Sequence, residues 1–289
     1  MATLGRQGLH VDAETLSESL AAFGESASPD ECRAMFAEGE GFCEALFRRL
    51  GAGEVASVDF SDYQHATVIH DMNAPVPSSQ WNQYSLVVDG GTLEHVFNYP
   101  VAVANCMRMV RPGGHFIGLS PGNNFMGHGF YQFSPELFYR VFSAQNGFVT
   151  EDLIAVQDTW PFSWYRVKDP EVLKRRVTLI NRRPVTLMVL AKKIESVEPF
   201  STVPQQSDYA SWWKEAKADA TGRPSVRDAP AWQAPRPSMA GRATSAAKRL
   251  VPRKLKDRYH RFLIGDAFED ASYTEVDWRP RPSDARRDR

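Results

Sequence analysis

From the start of the chain to about residue 193, apolar runs of strand length alternate with stretches of helical spacing, the pattern of an α/β domain on a mainly parallel sheet. A strand stub at residues 2–4 ends in Gly5-Arg6-Gln7-Gly8. Helices are predicted at residues 12–23 and about 30–50, the second carrying Phe42, Ala45, Leu46, Arg49 and Leu50 at three-and-four spacing until Gly51-Ala52-Gly53 stops it. Strands at 55–59 and 66–70 lead to Asp59 and Asp71. The most readable strand, Tyr84-Ser85-Leu86-Val87-Val88, reads as central and covered on both faces, and it runs into Asp89-Gly90-Gly91. A helix at 99–110 closes at Arg111-Pro112-Gly113-Gly114, and the next strand is 115–119. Ser134-Pro135-Glu136 caps and starts a helix that lays Leu137, Phe138, Val141 and Phe142 on one face and ends at Gly147. Strands at 148–157 and 185–191 close the sheet.

Beyond residue 193 the pattern breaks. Residues 223–238 are rich in Pro and Ala and read as an extended linker, and residues 242–261 concentrate Lys and Arg with Asp257 as the single acid. The expected division is 1–193 as the α/β domain, 194–240 as a linker or packed arm carrying Trp212, Trp213 and Trp232, and 241–289 as a basic extension. That extension changes how the charge is read. Over 289 residues the net charge is −1, so the whole molecule has no attraction for nucleic acid or anionic lipid, and any such attraction is local. At 43% hydrophobic and 24% charged, the composition excludes a disordered or collagen-like chain. Cys32, Cys43 and Cys106 form no CxxC pair, which argues against a disulfide framework or structural zinc and for a reducing compartment. With no secretory leader pattern and no apolar run of about 20 residues, a soluble cytoplasmic protein is expected.

In an open parallel sheet, ligands bind at the carboxyl ends of the strands, near the point where strand order reverses. The polar residues there are the Gly5–Gly8 turn, Asp59, Asp71 with Met72, and Asp89-Gly90-Gly91. The two oxygens of a carboxylate at a strand end suit the two hydroxyls of a ribose, though Asp59 also reads as a turn acid beside Ser61 and Asp62.

The order of segments resembles the class I S-adenosylmethionine-dependent methyltransferases. The resemblance is carried by Leu86-Val87-Val88-Asp89-Gly90-Gly91-Thr92-Leu93-Glu94-His95-Val96, followed at the expected distance by Met107-Arg108-Met109-Val110-Arg111-Pro112-Gly113-Gly114-His115-Phe116. Residues 123–136 look like the loop of bacterial members that accompany surface-sugar biosynthesis. The resemblance spans residues 1–193. It implies a Rossmann-like, doubly wound, mainly parallel sheet with helices on both faces, followed by an irregular or helical basic extension. It also implies S-adenosyl-L-methionine as cofactor: Gly5, Arg6, Gln7 and Gly8 against the methionine part, Asp59 on the ribose, Asp71 and Met72 flanking the adenine, and Asp89 with Gly90 near the amino end and the transferred methyl. In place of the family's acidic, glycine-rich first turn the chain has Leu4-Gly5-Arg6-Gln7-Gly8. A working variant, a decayed pocket and a truncated first strand all account for that departure.

Methyl transfer from a sulfonium needs a nucleophile aligned with an already activated carbon. For an alcohol acceptor a general base helps, and histidine suits that role at neutral pH. Of seven histidines, His115 reads as structural and His70 as turned away from Asp71, leaving His128 and His95 as catalytic candidates. Asn123, Asn124, Tyr131 and Gln132 suit a polyhydroxylated small-molecule or glycan acceptor, with Phe125, Phe130 and Tyr131 as stacking faces, or else the loop folds its aromatics under itself. Glu94 beside His95 has no spaced third and fourth ligand, so no metal is expected. Without an Asn/Asp-Pro-Pro-aromatic turn no specific nucleic acid is expected, and the basic extension is a candidate for peripheral membrane or protein contact. The sequence therefore supports a sugar O-methyltransferase or, as the alternative, a non-catalytic methyltransferase-like binding protein in a glycan-assembly complex.

Overall fold

One sheet organises the computed structural model, which describes residues 1–157, 163–210, 268 and 271–276. Its strands are β1 (Ala2–Leu4), β2 (Ala56–Asp59), β3 (Val68–Ile69), β4 (Tyr84–Asp89), β5 (Val110–Asn123), β6 (Phe148–Gln157), β7 (Ser163–Val167), β8 (Val185–Lys193) and β9 (Tyr273–Glu275). They lie in the order β3-β2-β1-β4-β5-β8-β6-β7-β9. From β3 to β5 neighbouring strands are parallel; from β5 outward every pairing is antiparallel. The parallel half has the Rossmann-like plan. The chain starts at β1, winds out to β3 and returns to β4 on the other side of β1, so strand order reverses between β1 and β4 and a crevice opens at their carboxyl ends. The antiparallel half includes two short strands absent from the sequence reading, β7 and β9, and β9 comes from beyond residue 193.

The helices are α1 (Ala13–Ala22), α2 (Pro29–Glu38), α3 (Glu44–Arg49), α4 (Tyr99–Met109), α5 (Pro135–Val141) and the short α6 (Pro170–Leu173). Asp12 caps α1 by accepting from the Thr15 amide, and Ser28 with Glu31 forms a complete capping box on α2. The single helix expected at about 30–50 divides into α2 and α3, because Glu40 and Gly41 take φ values of 52° and 84°, outside the helical region. Helices α1–α3 bury Leu16, Leu20, Cys32, Met35 and Ala45 against one another as a cluster separate from the sheet core. Helix α4 instead places Ala102, Val103, Cys106 and Met107 in that core. The strand expected at 66–70 shrinks to β3, and the helix starting at Ser134 ends at Phe142 rather than Gly147, with a 3₁₀ turn between.

Two polar side chains reinforce this frame. Asn105 of α4, fully buried, accepts from the Val76 amide at 2.9 Å and donates to Ala74 O at 2.8 Å, tying the segment before β4 to the helix. Lys193 Nζ donates to Asn82 Oδ1, Met107 O and Val110 O, and burial pulls its pKa down to about 8. Among the described residues no helix is long and apolar enough to cross a membrane. The linker, the basic stretch at 242–261 and the tryptophans at 212, 213 and 232 lie outside the described residues.

Candidate functional site

The crevice between β1 and β4 is built from three turns that converge. After Leu4 the chain reverses through Gly5 at φ 68°, and the Gly5 amide donates to Val58 O of β2 at 2.7 Å. A Cβ on Gly5 would lie 3.3 Å from Thr92 Oγ1 and 3.8 Å from Asp59 Oδ2, so the ends of β1, β2 and β4 meet there. Thr92 donates to Leu4 O at 3.0 Å and clips the third turn to the first. Asp59 accepts from the Ser61 amide at 3.3 Å.

Within the first turn, neighbouring side chains part. Arg6 is drawn out of the crevice: it donates to Glu44 at 2.7 Å and Gln64 O at 3.1 Å and lies over the Phe42 ring at 4.1 Å. Gln7 folds inward, its amide donating to Leu4 O, and a Cβ on Gly90 would lie 2.0 Å from Gln7 Oε1. The carboxamide therefore rests on the backbone of Gly90, an approach only glycine permits. Gly8 bridges Phe42.

The remaining acids hold turns. Asp71 accepts from the Asn73 amide at 2.9 Å and its side chain at 2.8 Å, bonds that keep its carboxyl below the usual value, while Met72 is buried in the core. Asp89 is fully buried and turned inward, accepting from the Thr92 and Leu93 amides at 2.8 and 3.3 Å. Burial pushes its carboxyl up to about 7.

The other wall begins at a 3₁₀ turn, Leu93–His95. Glu94 is buried while His95 is exposed. A loop from residue 124 to 133 crosses this turn and is fastened to it by the Phe130 amide donating to Glu94 O at 2.8 Å. His128 Nε2 then lies 3.2 Å from Glu94 Oε1, and its ring stands edge-on to His95 with centroids 4.9 Å apart. Glu94 and the two histidines place their ligand-type atoms within 4.8 Å of one another. The third member of this group, missing from the local spacing around Glu94, comes from a loop 34 residues on.

The loop's polar side chains are engaged in holding it. Asn123 donates to Asn181 Oδ1 at 2.9 Å, Asn124 donates to the same atom at 2.8 Å and to Arg183 O at 2.8 Å, Gln132 accepts from the Phe125 amide at 2.8 Å, and Tyr131 donates to Phe97 O at 2.6 Å. These bonds tie the loop to residues 181 and 183 and to Phe97, while Gln132 uses its carboxamide oxygen to hold the Phe125 amide within the loop. Its exposed residues include Met126 and Phe130, 92% and 65% exposed, alongside Asn124, His128 and Gln132, and Phe97, 72% exposed just past the Leu93–His95 turn, stands edge-on to Phe130 at 5.7 Å. Phe97 is the site residue that sequence reasoning missed; its signal was a bulky aromatic just beyond the Glu94-His95 turn.

No protein-family model matches the chain, and none of the curated proteins does. Among solved structures it is similar to the methyltransferase domain of the citrinin polyketide synthase, at 12% identity over 52% of this chain and TM-score 0.34, spanning 42% of that structure's length. It is also similar to the Burkholderia thailandensis 1,6-didemethyltoxoflavin N1-methyltransferase bound to its substrate and S-adenosylhomocysteine (15% identity, 53% of this chain and 67% of that one, TM-score 0.34). A 16S rRNA adenine N1-methyltransferase from Catenulisporales acidiphilia shares 11% identity over 67% of this chain and 84% of its own, with TM-score 0.37. Likenesses this weak say nothing about the site; what the crevice can do follows from its own residues.

Proposed function

We propose that the chain is an S-adenosylmethionine-dependent methyltransferase that methylates a hydroxyl of a small molecule, a sugar or glycan-type acceptor being the class that fits its mouth. The supporting observation is the crevice itself: a strand-end carboxylate, Asp59, faces the first turn, and the Glu94–His128 pair borders the third, Glu94 Oε1 lying 3.2 Å from where a Cβ on Gly91 would be. The fit is specific in one respect. Gly5 and Gly90 leave bare backbone for close approach, and the far end of the flexible Gln7 side chain is what lies in the cradle, so rotation off Leu4 O opens it. When bound, the cofactor would supply an activated methyl group on sulfur. Asp59 would accept the ribose hydroxyls, and the backbone at Gly5 and Gly90 would border the methionine part.

The acceptor would rest a flat face on Phe97 and Phe130. His128, held by the buried Glu94, would take the hydroxyl proton as the oxygen attacks, with His95 beside it. Glu94 orients the ring much as a carboxylate orients the base of a hydrolase triad. Titrating the purified full chain with S-adenosylhomocysteine, followed by calorimetry, tests this reading: binding that Asp59→Ala weakens supports it, and no heat from a folded sample overturns it.

The non-catalytic reading has one observation in its favour, the Gln7 carboxamide lying where the cofactor would pass. It predicts no heat in the same titration until Gln7→Ala clears the cradle.

A further inference from the structure

The mouth of the crevice holds more than a base and its orienting partner needs. We propose that Glu94, His95 and His128 form a site for a divalent cation of the zinc and cobalt class. Two imidazole nitrogens and one carboxylate select such ions over magnesium or calcium, which prefer all-oxygen shells. Distances agree. Tetrahedral bonds of about 2.1 Å set ligand atoms about 3.4 Å apart; Glu94 Oε1 and His128 Nε2 are at 3.2 Å, and all three donors lie within 4.8 Å of one another. The exposed His95 ring can close the remaining gap by rotating.

Charge gives an independent argument. Glu94 is 1% exposed, and its second oxygen is buried with no hydrogen-bond partner among the described residues. A buried carboxylate satisfied on one side only is costly, and a bound cation is a direct remedy. The site is also built. Gly129, at φ 67°, brings the loop so close that a Cβ there would lie 2.8 Å from Glu94 O, and this contact delivers His128 to Glu94. Three protein donors leave a fourth position open toward the exposed mouth, the arrangement of catalytic rather than structural zinc sites.

Binding of the ion does not depend on the methyl-transfer reading; its role does. An acceptor hydroxyl on the open position would release its proton to solvent more readily, and the imidazoles would then serve as ligands in place of bases.

The test uses the untagged full chain, stripped with a chelator and titrated with Co²⁺ while its visible absorption is followed, then with Zn²⁺ in equilibrium dialysis. One ion per chain is expected, with a nitrogen- and oxygen-ligated Co²⁺ spectrum. Losing a ligand should weaken binding at least as much as losing its outer-shell partner does, about 10–100-fold, in His95→Asn, His128→Asn and Glu94→Gln. His10→Asn, outside the cluster, should leave it unchanged. If Glu94→Gln fails to fold, the two exposed histidine variants decide. No stoichiometric binding at millimolar Co²⁺, or binding that survives both histidine changes, overturns the proposal and leaves the Glu94–His128 contact as a plain hydrogen bond. A chain that binds S-adenosylhomocysteine but no ion refutes this site alone, and one that binds the ion but not S-adenosylhomocysteine refutes the methyl-transfer reading alone.

Discussion

The two walls of the crevice are held in place over different distances. On the β1 side the turns are a few residues long and clipped by Gly5 to Val58 and Thr92 to Leu4, so Asp59 holds its turn with one oxygen, on the Ser61 amide, and keeps the other toward Gly5. On the far side, residues 124–133 span the mouth without regular structure, and the amides of Asn123, Asn124 and Gln132 and the hydroxyl of Tyr131 become struts. A polar side chain in a long loop thus serves the loop first. Function there falls to what the struts hold in place: two histidines, a buried glutamate and exposed aromatic rings.

Substitutions on each wall can break this contrast. The largest effect is expected from His128→Ala, which should lower turnover about 10²–10⁴-fold, the worth of a general base, while leaving S-adenosylhomocysteine affinity intact. Asp59→Ala should do the reverse, weakening that affinity about 10–100-fold through lost charge-assisted hydrogen bonds. Equal loss of cofactor binding in both variants, measured by calorimetry, would show that the walls are not separate. Asn181→Ala removes the acceptor shared by Asn123 and Asn124 and should cost about 1–3 kcal/mol in urea unfolding. An unaffected midpoint would mean those amides are not struts. Gln7→Ala empties the cradle over Gly90 and should tighten S-adenosylhomocysteine binding about 2–10-fold, the worth of the hydrogen bond no longer broken; weaker binding would make Gln7 a ligand. An effect of the same small size belongs to Tyr131→Phe, about 0.5–1.5 kcal/mol of stability with turnover preserved.

Much of the frame was legible locally. The apolar run of β4, the Ser134 cap and the Pro-Gly-Gly turn before β5 each act over a few residues, so composition and spacing reveal them. The break between α2 and α3 also has a local cause, Glu40 and Gly41 at positive φ, which the three-and-four spacing from Phe42 to Leu50 does not reveal. Strands β7 and β9 were not, because short edge strands are defined by partners far away in the chain. At the site, Asp59, Gly5 and Gly90 could be placed from strand ends alone. That Arg6 turns out to Glu44 while Gln7 turns in could not, since the acid that draws Arg6 lies 38 residues on.

Taken by itself, the sequence determined the alternation of strands and helices, the turns at which the parallel strands end, and the pairing of a glutamate with a histidine just past β4. Those features depend on backbone preference and hydrophobic period, which act between neighbours. Only the tertiary structure decided which polar groups remain available for chemistry. It set Gln7 over Gly90, used the loop's amides on Asn181, and brought His128 to Glu94 across 34 residues. Hydrogen-bonding capacity is finite and burial makes each unmet group costly, so a side chain's role depends on which distant partner reaches it first.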